Sequence, residues 1–139
     1  MKAITKNLVF FSIGLIILTL LFRFFLSRFL QNQLFTEVWI LAALYGILIF
    51  IIGWTFGKKD KQTLPLYDIG LRFHVATYLI CNLIAEIWFF LGLQSDCEKI
   101  KSVHFTVVFW GVGLLIHYIL YLITRKNAIN GIKKTEIFE

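Results

Sequence analysis

Four polar side chains, each four residues after the last, interrupt an apolar stretch of this chain: His74, Tyr78, Asn82 and Glu86. At 3.6 residues per turn, this spacing places all four on one face of a helix. The surrounding residues are mostly Val, Leu, Ile, Ala, Phe and Trp, and a polar group in hydrocarbon is costly, so the face should contact protein. The pattern predicts a buried polar network.

Arg23 is the predicted partner of the acid in this stripe. Arg23 and Glu86 each lie about fifteen residues into apolar stretches that run in the same direction, so we expect them at one depth. An ion pair, or a protonated Glu86 bonded to Arg23, would relieve the cost of placing either group in a span. In the alternative, Arg23 extends to the headgroups and Glu86 stays neutral or reaches water.

His117 and Trp110, in the last apolar stretch, complete the predicted network. In an antiparallel pair of helices, His117 should be level with Asn82 and within a turn of Tyr78, which predicts a hydrogen bond to one of them. Haem ligation is the alternative, but it requires two imidazoles at one depth, and His74 should lie about 9 Å away in depth. A structural network is therefore favoured.

The chain carries no recognised enzyme motif. HExxH, GxSxG, P-loop and glycine-rich dinucleotide signatures are absent from the sequence, as is a hydrolase-like acidic pair. Cys81 and Cys97 form no CxxC motif, and we expect two unpaired thiols. We therefore expect a protein that is not an enzyme and has no metal or cofactor.

Composition identifies the class of protein that must hold these side chains. Of the 139 residues, 59% are hydrophobic, which is well above the apolar content of a soluble domain, and 16% are charged. Four stretches have about the 20 residues that a transmembrane helix needs: residues 8–30, 35–56, 71–93 and 103–124. The sequence predicts an all-α integral membrane protein, one domain over residues 1–139, with four transmembrane helices in an antiparallel-type bundle.

The distribution of basic residues predicts the orientation. Ten of the 14 Lys and Arg residues lie at the N-terminus, in or next to the connection between the second and third stretches (with Arg72 at the start of the third), or in the C-terminal tail. The positive-inside rule then places both termini in the cytoplasm, and we expect the protein in the inner (plasma) membrane. The net charge of +6 needs no nucleic-acid partner, because a basic groove with interleaved aromatics is missing.

Small residues predict where helices approach closely. Pairs of small residues four apart on the second stretch, and two glycines on the fourth, are typical of helix contacts in membranes. They are Ala42, Gly46, Gly53, Gly57, Gly111 and Gly113. The pattern leaves open whether the neighbouring helix belongs to the same chain.

The second half of the chain carries two motifs at fixed spacing. The first is Arg-Phe-His at residues 72–74 with Tyr78 and Asn82, and the second is Phe-Trp-Gly-Val-Gly-Leu at residues 109–114 with His117. In order and spacing these residues resemble the bacterial 2TM domain family.

The resemblance covers residues 67–139 and includes a short charged segment at 132–139. It implies a helical hairpin found alone or attached to signalling proteins such as histidine kinases, with no established biochemical activity.

Three functions remain open. The favoured one is a non-enzymatic membrane module, associated with signalling, whose partners are membrane lipids and either a second copy of the chain or another membrane protein. The alternative is a small transporter or lipid-carrier-type permease that uses Glu86 as a proton- or cation-responsive group. A haem or quinone redox protein is third. A water-filled cavity that reaches Glu86 would favour transport.

Overall fold

The computed structural model describes residues 4–61 and 64–130. Its helices are α1 (Lys6–Gln31), α2 (Phe35–Asp60), α3 (Leu66–Phe90) and α4 (Ile100–Asn130). All four are long and apolar enough to cross a membrane, which confirms the predicted all-helical chain with four helices of spanning length. The charged segment 132–139 of the family resemblance lies outside the described residues.

The connection between α2 and α3 is shorter than predicted, because both helices extend into it. α2 continues to Asp60, whose side chain is buried at the start of α1. Its carboxylate accepts hydrogen bonds from Thr5 Oγ1 at 2.5 Å and from Asn7 Nδ2 at 2.6 Å. These bonds satisfy a buried charge and fix the end of α2 against α1.

α3 begins directly after Pro65, which has an extended backbone. Proline has no backbone N–H to donate within a helix, so it is tolerated at a helix start but not in a helix interior. Asp68 lies in the first turn, where an acidic side chain is favourable for the helix dipole. Its carboxylate Oδ2 lies 2.7 Å from Arg72 Nη2, one turn later on the same helix.

α3 ends in a Schellman motif around Gly92. The N–H of Gly92 donates to Phe89 O and the N–H of Leu93 donates to Trp88 O, the two bonds that define this motif. Gly92 has φ +68°, a left-handed conformation that glycine adopts without the penalty of a Cβ atom. The motif stops α3 at Phe90, three residues before the predicted end of that span.

α3 is the central helix of the described structure. Its backbone comes within 8 Å, Cα to Cα, of α1, α2 and α4, and α1 also lies against α2. Within the described residues, α4 comes this close to α3 and to none of the other helices. On either side of the α3–α4 contact, the space between α4 and the other two helices is therefore lined by side chains, because no backbones of the described residues pack closely there.

One face of α1 provides most of the buried positions of that helix. Phe11, Leu15, Thr19, Arg23 and Ser27 are all buried, each four residues after the last. The stripe is apolar at one end, where Phe11 and Leu15 join a core cluster with α2 and α3. The stripe is polar at the other end, where Arg23 is buried at the level of the α3–α4 connection.

The predicted small residues differ in what lies beside them. A Cβ at Gly53, Gly57 or Gly111 would lie 3.6 Å from Phe11, 3.5 Å from Ile69 or 3.2 Å from Tyr78, respectively, so these three glycines face a neighbouring helix. Gly46 and Gly113 have no such atom within 4 Å among the described residues. Ala42 is half-buried.

Candidate functional site

The polar end of the α1 stripe meets an acidic residue of the α3–α4 connection. Arg23 Nη2 lies 2.9 Å from Glu98 Oε2, and the two side chains are only 10% and 7% exposed. Glu98 Oε1 also accepts from Ser27 Oγ at 2.6 Å and from the backbone N–H of Ser95 at 3.1 Å. Trp88 Nε1 donates to Ser27 Oγ at 3.0 Å. The carboxylate is therefore well satisfied.

The guanidinium of Arg23 is less well satisfied than its partner. Its Nε has no hydrogen-bond acceptor among the described residues, and Nη2 approaches Glu98 without the alignment of a hydrogen bond. Its Cζ lies 5.5 Å from the ring centroid of Phe89, within the range of a cation–π contact. A buried arginine with donors to spare can bind a further anionic oxygen.

A cavity of about 410 Å³ adjoins this guanidinium and is called the Arg23 cavity below. Its walls come from α1, α3, the α3–α4 connection and α4, with Tyr45 of α2 at one side. Polar lining residues include Arg23, Asn82, Glu98 and Lys99. The lining also includes the apolar residues Phe22, Leu26, Leu30, Ala85, Phe89 and Val103 and the indole of Trp110.

Three polar side chains from different helices meet at the wall of this cavity. Thr19 donates to Leu15 O at 2.7 Å, so its oxygen can accept from Tyr45 Oη at 2.9 Å. Tyr45 Oη lies 3.2 Å from Cys81 Sγ. Cys81 and Cys97 both line the cavity and both are free thiols, as predicted.

The two predicted histidines form a second polar cluster with Trp110. Trp110 Nε1 donates to His74 Nε2 at 2.8 Å, and His74 Nδ1 lies 2.9 Å from His117 Nδ1. An indole can only donate, so in a neutral His74 the proton must be on Nδ1, from which it is donated to His117. A neutral His117 then carries its own proton on Nε2. The order of the bonds assigns both tautomers.

His117 borders a second cavity, of about 720 Å³, between α2, α3 and α4, called the His117 cavity below. Lys58 and Lys61 line it at the end of α2, and none of its described lining residues is acidic. Most of the remaining lining is apolar. At Gly70 a Cβ would lie 3.7 Å from His117 Nε2, so this glycine leaves that edge of the imidazole uncovered.

The predicted partners of His117 are wrong. Tyr78 Oη donates to Val107 O at 3.1 Å, and Asn82 Nδ2 donates to Tyr78 O at 2.8 Å, so neither bonds to His117. The error lies in the helix register. α3 ends and α4 begins three residues before the predicted span boundaries, which shifts an antiparallel register by about six residues, or about 9 Å. That shift brings His74 level with His117.

The predicted pair of Arg23 with Glu86 is also wrong. Glu86 lies 3.2 Å from His104 of α4, and the two side chains are 42% and 60% exposed. Glu86 therefore faces α4, while Arg23 is held by Glu98. Glu86 is in the described lining of neither the Arg23 cavity nor the His117 cavity.

Glu98 and Ser27 are not among the residues that the sequence singles out. The signal for Ser27 is the spacing of Thr19, Arg23 and Ser27 at four-residue intervals, a second polar stripe. Glu98 belongs to a connection whose position over α1 depends on a long-range contact. There Gln31 bonds Asp96 through its amide nitrogen and its amide oxygen.

Compared with protein-family models, with curated proteins and with solved structures, the chain matches none of them. The resemblance of residues 67–139 to the 2TM domain family thus stays a hypothesis that depends on its motifs.

Proposed function

We propose that this protein is a small multi-pass membrane protein that binds an anionic amphiphile in the Arg23 cavity, as a lipid-carrier-type permease would. The observation that carries the proposal is a nine-tenths buried arginine, with an unpartnered Nε, in the wall of a cavity with many apolar residues.

Membrane insertion is supported by four helices of sufficient length and apolarity. The basic residues at the α2–α3 connection favour the cytoplasm for that connection and for both termini. Reporter fusions after Lys61 and after Glu139 should both report a cytoplasmic position. A periplasmic signal from either fusion would contradict this topology.

The polar groups of the cavity favour a negatively charged head. Glu98 neutralises Arg23, but it engages one edge of the guanidinium and leaves Nε free. Lys99 adds a second cation to the lining. A phosphate or carboxylate in the cavity could bind the guanidinium through charge-assisted hydrogen bonds.

The rest of the cavity favours a hydrocarbon chain. Phe22, Leu26 and Leu30 of α1 line it together with Phe89 of α3 and Val103 of α4. Since α4 does not approach α1 closely, an acyl or prenyl chain could enter between these two helices from the lipid. The ligand would thus present a polar head to Arg23 and an apolar tail to the gap.

Cys97 provides a direct test, because it is exposed and lines the cavity. Hexadecyl phosphate should slow the labelling of Cys97 by a maleimide, and hexadecanol should need about 10- to 150-fold higher concentration for the same protection. This ratio follows from a contribution of about 1.5–3 kcal/mol for a hydrogen bond to a charged group. Mass spectrometry distinguishes Cys97 from Cys81.

Matched variants assign the protection to one side chain. Arg23→Gln should remove the preference for the phosphate, whereas Arg28→Gln, an exposed arginine on the same helix, should keep it. If Arg23→Gln does not fold, the double variant Arg23→Met, Glu98→Met removes both charges and can be labelled instead. Equal protection by both amphiphiles in the wild-type protein would contradict the proposal.

A second candidate function is a non-enzymatic membrane module that assembles with itself or with another membrane protein. It is favoured by α4, which approaches α3 alone and leaves most of its own surface uncovered in the described structure, and by the 2TM resemblance. Native mass spectrometry from detergent should then give an oligomer. A mass of one chain under all mild conditions would exclude self-assembly.

A further inference from the structure

The hydrogen-bond order of the Trp110–His74–His117 chain determines what the His117 cavity can recognise. Trp110 donates to His74 and His74 donates to His117, so the remaining polar atom of His117 is an N–H at Nε2. A metal ligand would need the lone pair at this nitrogen. An N–H instead recognises an acceptor such as a carbonyl oxygen.

The other polar groups of this cavity favour an anion. Lys58 and Lys61 line it at the end of α2, and its described lining contains no carboxylate to neutralise them. The lining also includes Phe11, Phe50 and Phe73. The cavity therefore combines cations at one end, a neutral donor and apolar surface suited to hydrocarbon.

The spacing of these groups along the helices can be read from α3. Gly57, next to Lys58, lies opposite Ile69, because a Cβ at Gly57 would be 3.5 Å from Ile69 Cγ2. The donor, His117 Nε2, lies beside Gly70, because a Cβ at Gly70 would be 3.7 Å from it. Gly70 directly follows Ile69, so along α3 the donor is within about one residue's rise, ~1.5 Å, of the level of Gly57.

We propose that the His117 cavity binds one ester-linked glycerophospholipid, with its phosphate at Lys58 and Lys61 and an ester carbonyl accepting from His117 Nε2–H. A glycerol backbone together with a flexible lysine side chain spans the separation between these groups, and the acyl chains lie along the aromatic walls. The site does not depend on the Arg23 cavity, and its occupant differs in needing a carbonyl below the phosphate.

Two related ligand sources would use only part of the site. A polyprenyl phosphate has a phosphate for the lysines but no ester carbonyl for His117. A neutral quinone has carbonyls for His117 but no charge for the lysines. The diacyl phospholipid uses both sets of groups, and the experiment separates the three.

The decisive comparison is between ester-linked and ether-linked phosphatidylglycerol with identical chain lengths. The ether lipid keeps the phosphate and the hydrocarbon but lacks both carbonyls. Native mass spectrometry of the detergent-solubilised protein should show about fivefold tighter binding of the ester lipid, the effect of one neutral hydrogen bond. Equal affinities in the wild-type protein would overturn the proposal, as would tighter binding of undecaprenyl phosphate or of a quinone.

Two variants change the donor in different ways. His117→Leu deletes the imidazole and should abolish the preference for the ester lipid. Gly70→Ala keeps both histidines, places a methyl group 3.7 Å from Nε2 and should reduce the preference. Both should leave the affinity for the ether lipid within about twofold. Because the readout is a ratio between two lipids, a general loss of stability does not imitate it. A preserved preference in both variants would refute the assignment of His117.

Trp110 acts as a positioning residue for this donor. Trp110→Phe removes the bond that fixes the tautomer of His74, so His117 is no longer held with its proton on Nε2. The preference for the ester lipid should fall to between that of the wild type and that of His117→Leu. An unchanged ratio would refute the role of Trp110.

The lysines are tested by charge. Lys58→Gln with Lys61→Gln should remove the preference for phosphatidylglycerol over phosphatidylcholine, whereas Lys59→Gln should keep it, since Lys59 does not line the cavity and contacts Phe56. The two cavities have separate readouts, the labelling of Cys97 for the Arg23 cavity and the ester-to-ether ratio for the His117 cavity. A failure at the His117 cavity is therefore distinguishable from a failure at the Arg23 cavity.

Discussion

Removal of the charge of Glu98 should destabilise the protein strongly, because it leaves Arg23 buried without its counter-ion. Both side chains are at least nine-tenths buried, so solvent screens the pair little. Breaking a buried ion pair typically costs about 3–5 kcal/mol. Since Arg23 borders a cavity, which water can enter, we expect Glu98→Gln to lie at the lower end, near 3 kcal/mol.

Glutamine is the informative substitution because it preserves shape. Its amide oxygen can still accept from Ser27 and from the N–H of Ser95, the bonds that Glu98 Oε1 accepts in the wild type. What is lost is the charge next to Arg23. The expected decrease in Tm is about 10 °C, at about 3 °C per kcal/mol for a chain of this size.

The double variant Arg23→Met, Glu98→Met should recover much of this loss, since an apolar replacement of a buried pair is often neutral or stabilising. Unfolding can be followed by tryptophan fluorescence in detergent, and a double-mutant cycle isolates the coupling between the two residues. The reasoning is refuted if Glu98→Gln is within about 0.5 kcal/mol of the wild type. It is also refuted if the double variant is less stable than both single variants.

Two further predictions concern packing and hydrogen bonding, each checked by Tm in the same detergent. Gly111→Ala should destabilise by about 1–3 kcal/mol, because its Cβ would lie 3.2 Å from Tyr78 Oη. Its matched control Gly113→Ala, with no described neighbour within 4 Å, should be neutral or stabilising by up to about 1 kcal/mol; equal effects at both glycines would contradict the α3–α4 packing. Ser27→Ala should cost about 1 kcal/mol, because it removes a donor to Glu98 and the acceptor of Trp88, and an unchanged Tm would show that these bonds contribute nothing net.

The number and type of elements follow from the sequence, whereas the contacts between polar residues do not. Four apolar stretches of about 20 residues predict four spanning helices because hydrophobicity is a local property. The contact between His74 and His117 depends on where α3 stops, and Gly92 ends it three residues early. An error of three residues at each of two boundaries is sufficient to exchange the predicted partner of a histidine.

The partner of Arg23 illustrates a different limit. Depth alone made Glu86 a reasonable partner, but depth does not say which face of a neighbouring helix an acid occupies. Glu86 faces His104, and Glu98 reaches Arg23 from a connection. The four-residue stripe on α1 correctly indicates an inward-facing Arg23, while the folding of residues 91–99 over α1 is a tertiary feature with no local pattern.

The one-way order of bonds from Trp110 through His74 to His117 has an electrical consequence. A chain that conducts protons needs members that both accept and donate, so that each can pass on a proton and then reorient. The indole nitrogen of Trp110 has no lone pair available to accept, and the chain therefore ends there. Both hydrogen bonds run in the same order, from Trp110 to His74 and from His74 to His117. The chain is therefore a one-way series of donors, not a proton wire, and its last acceptor is the histidine that lines the His117 cavity.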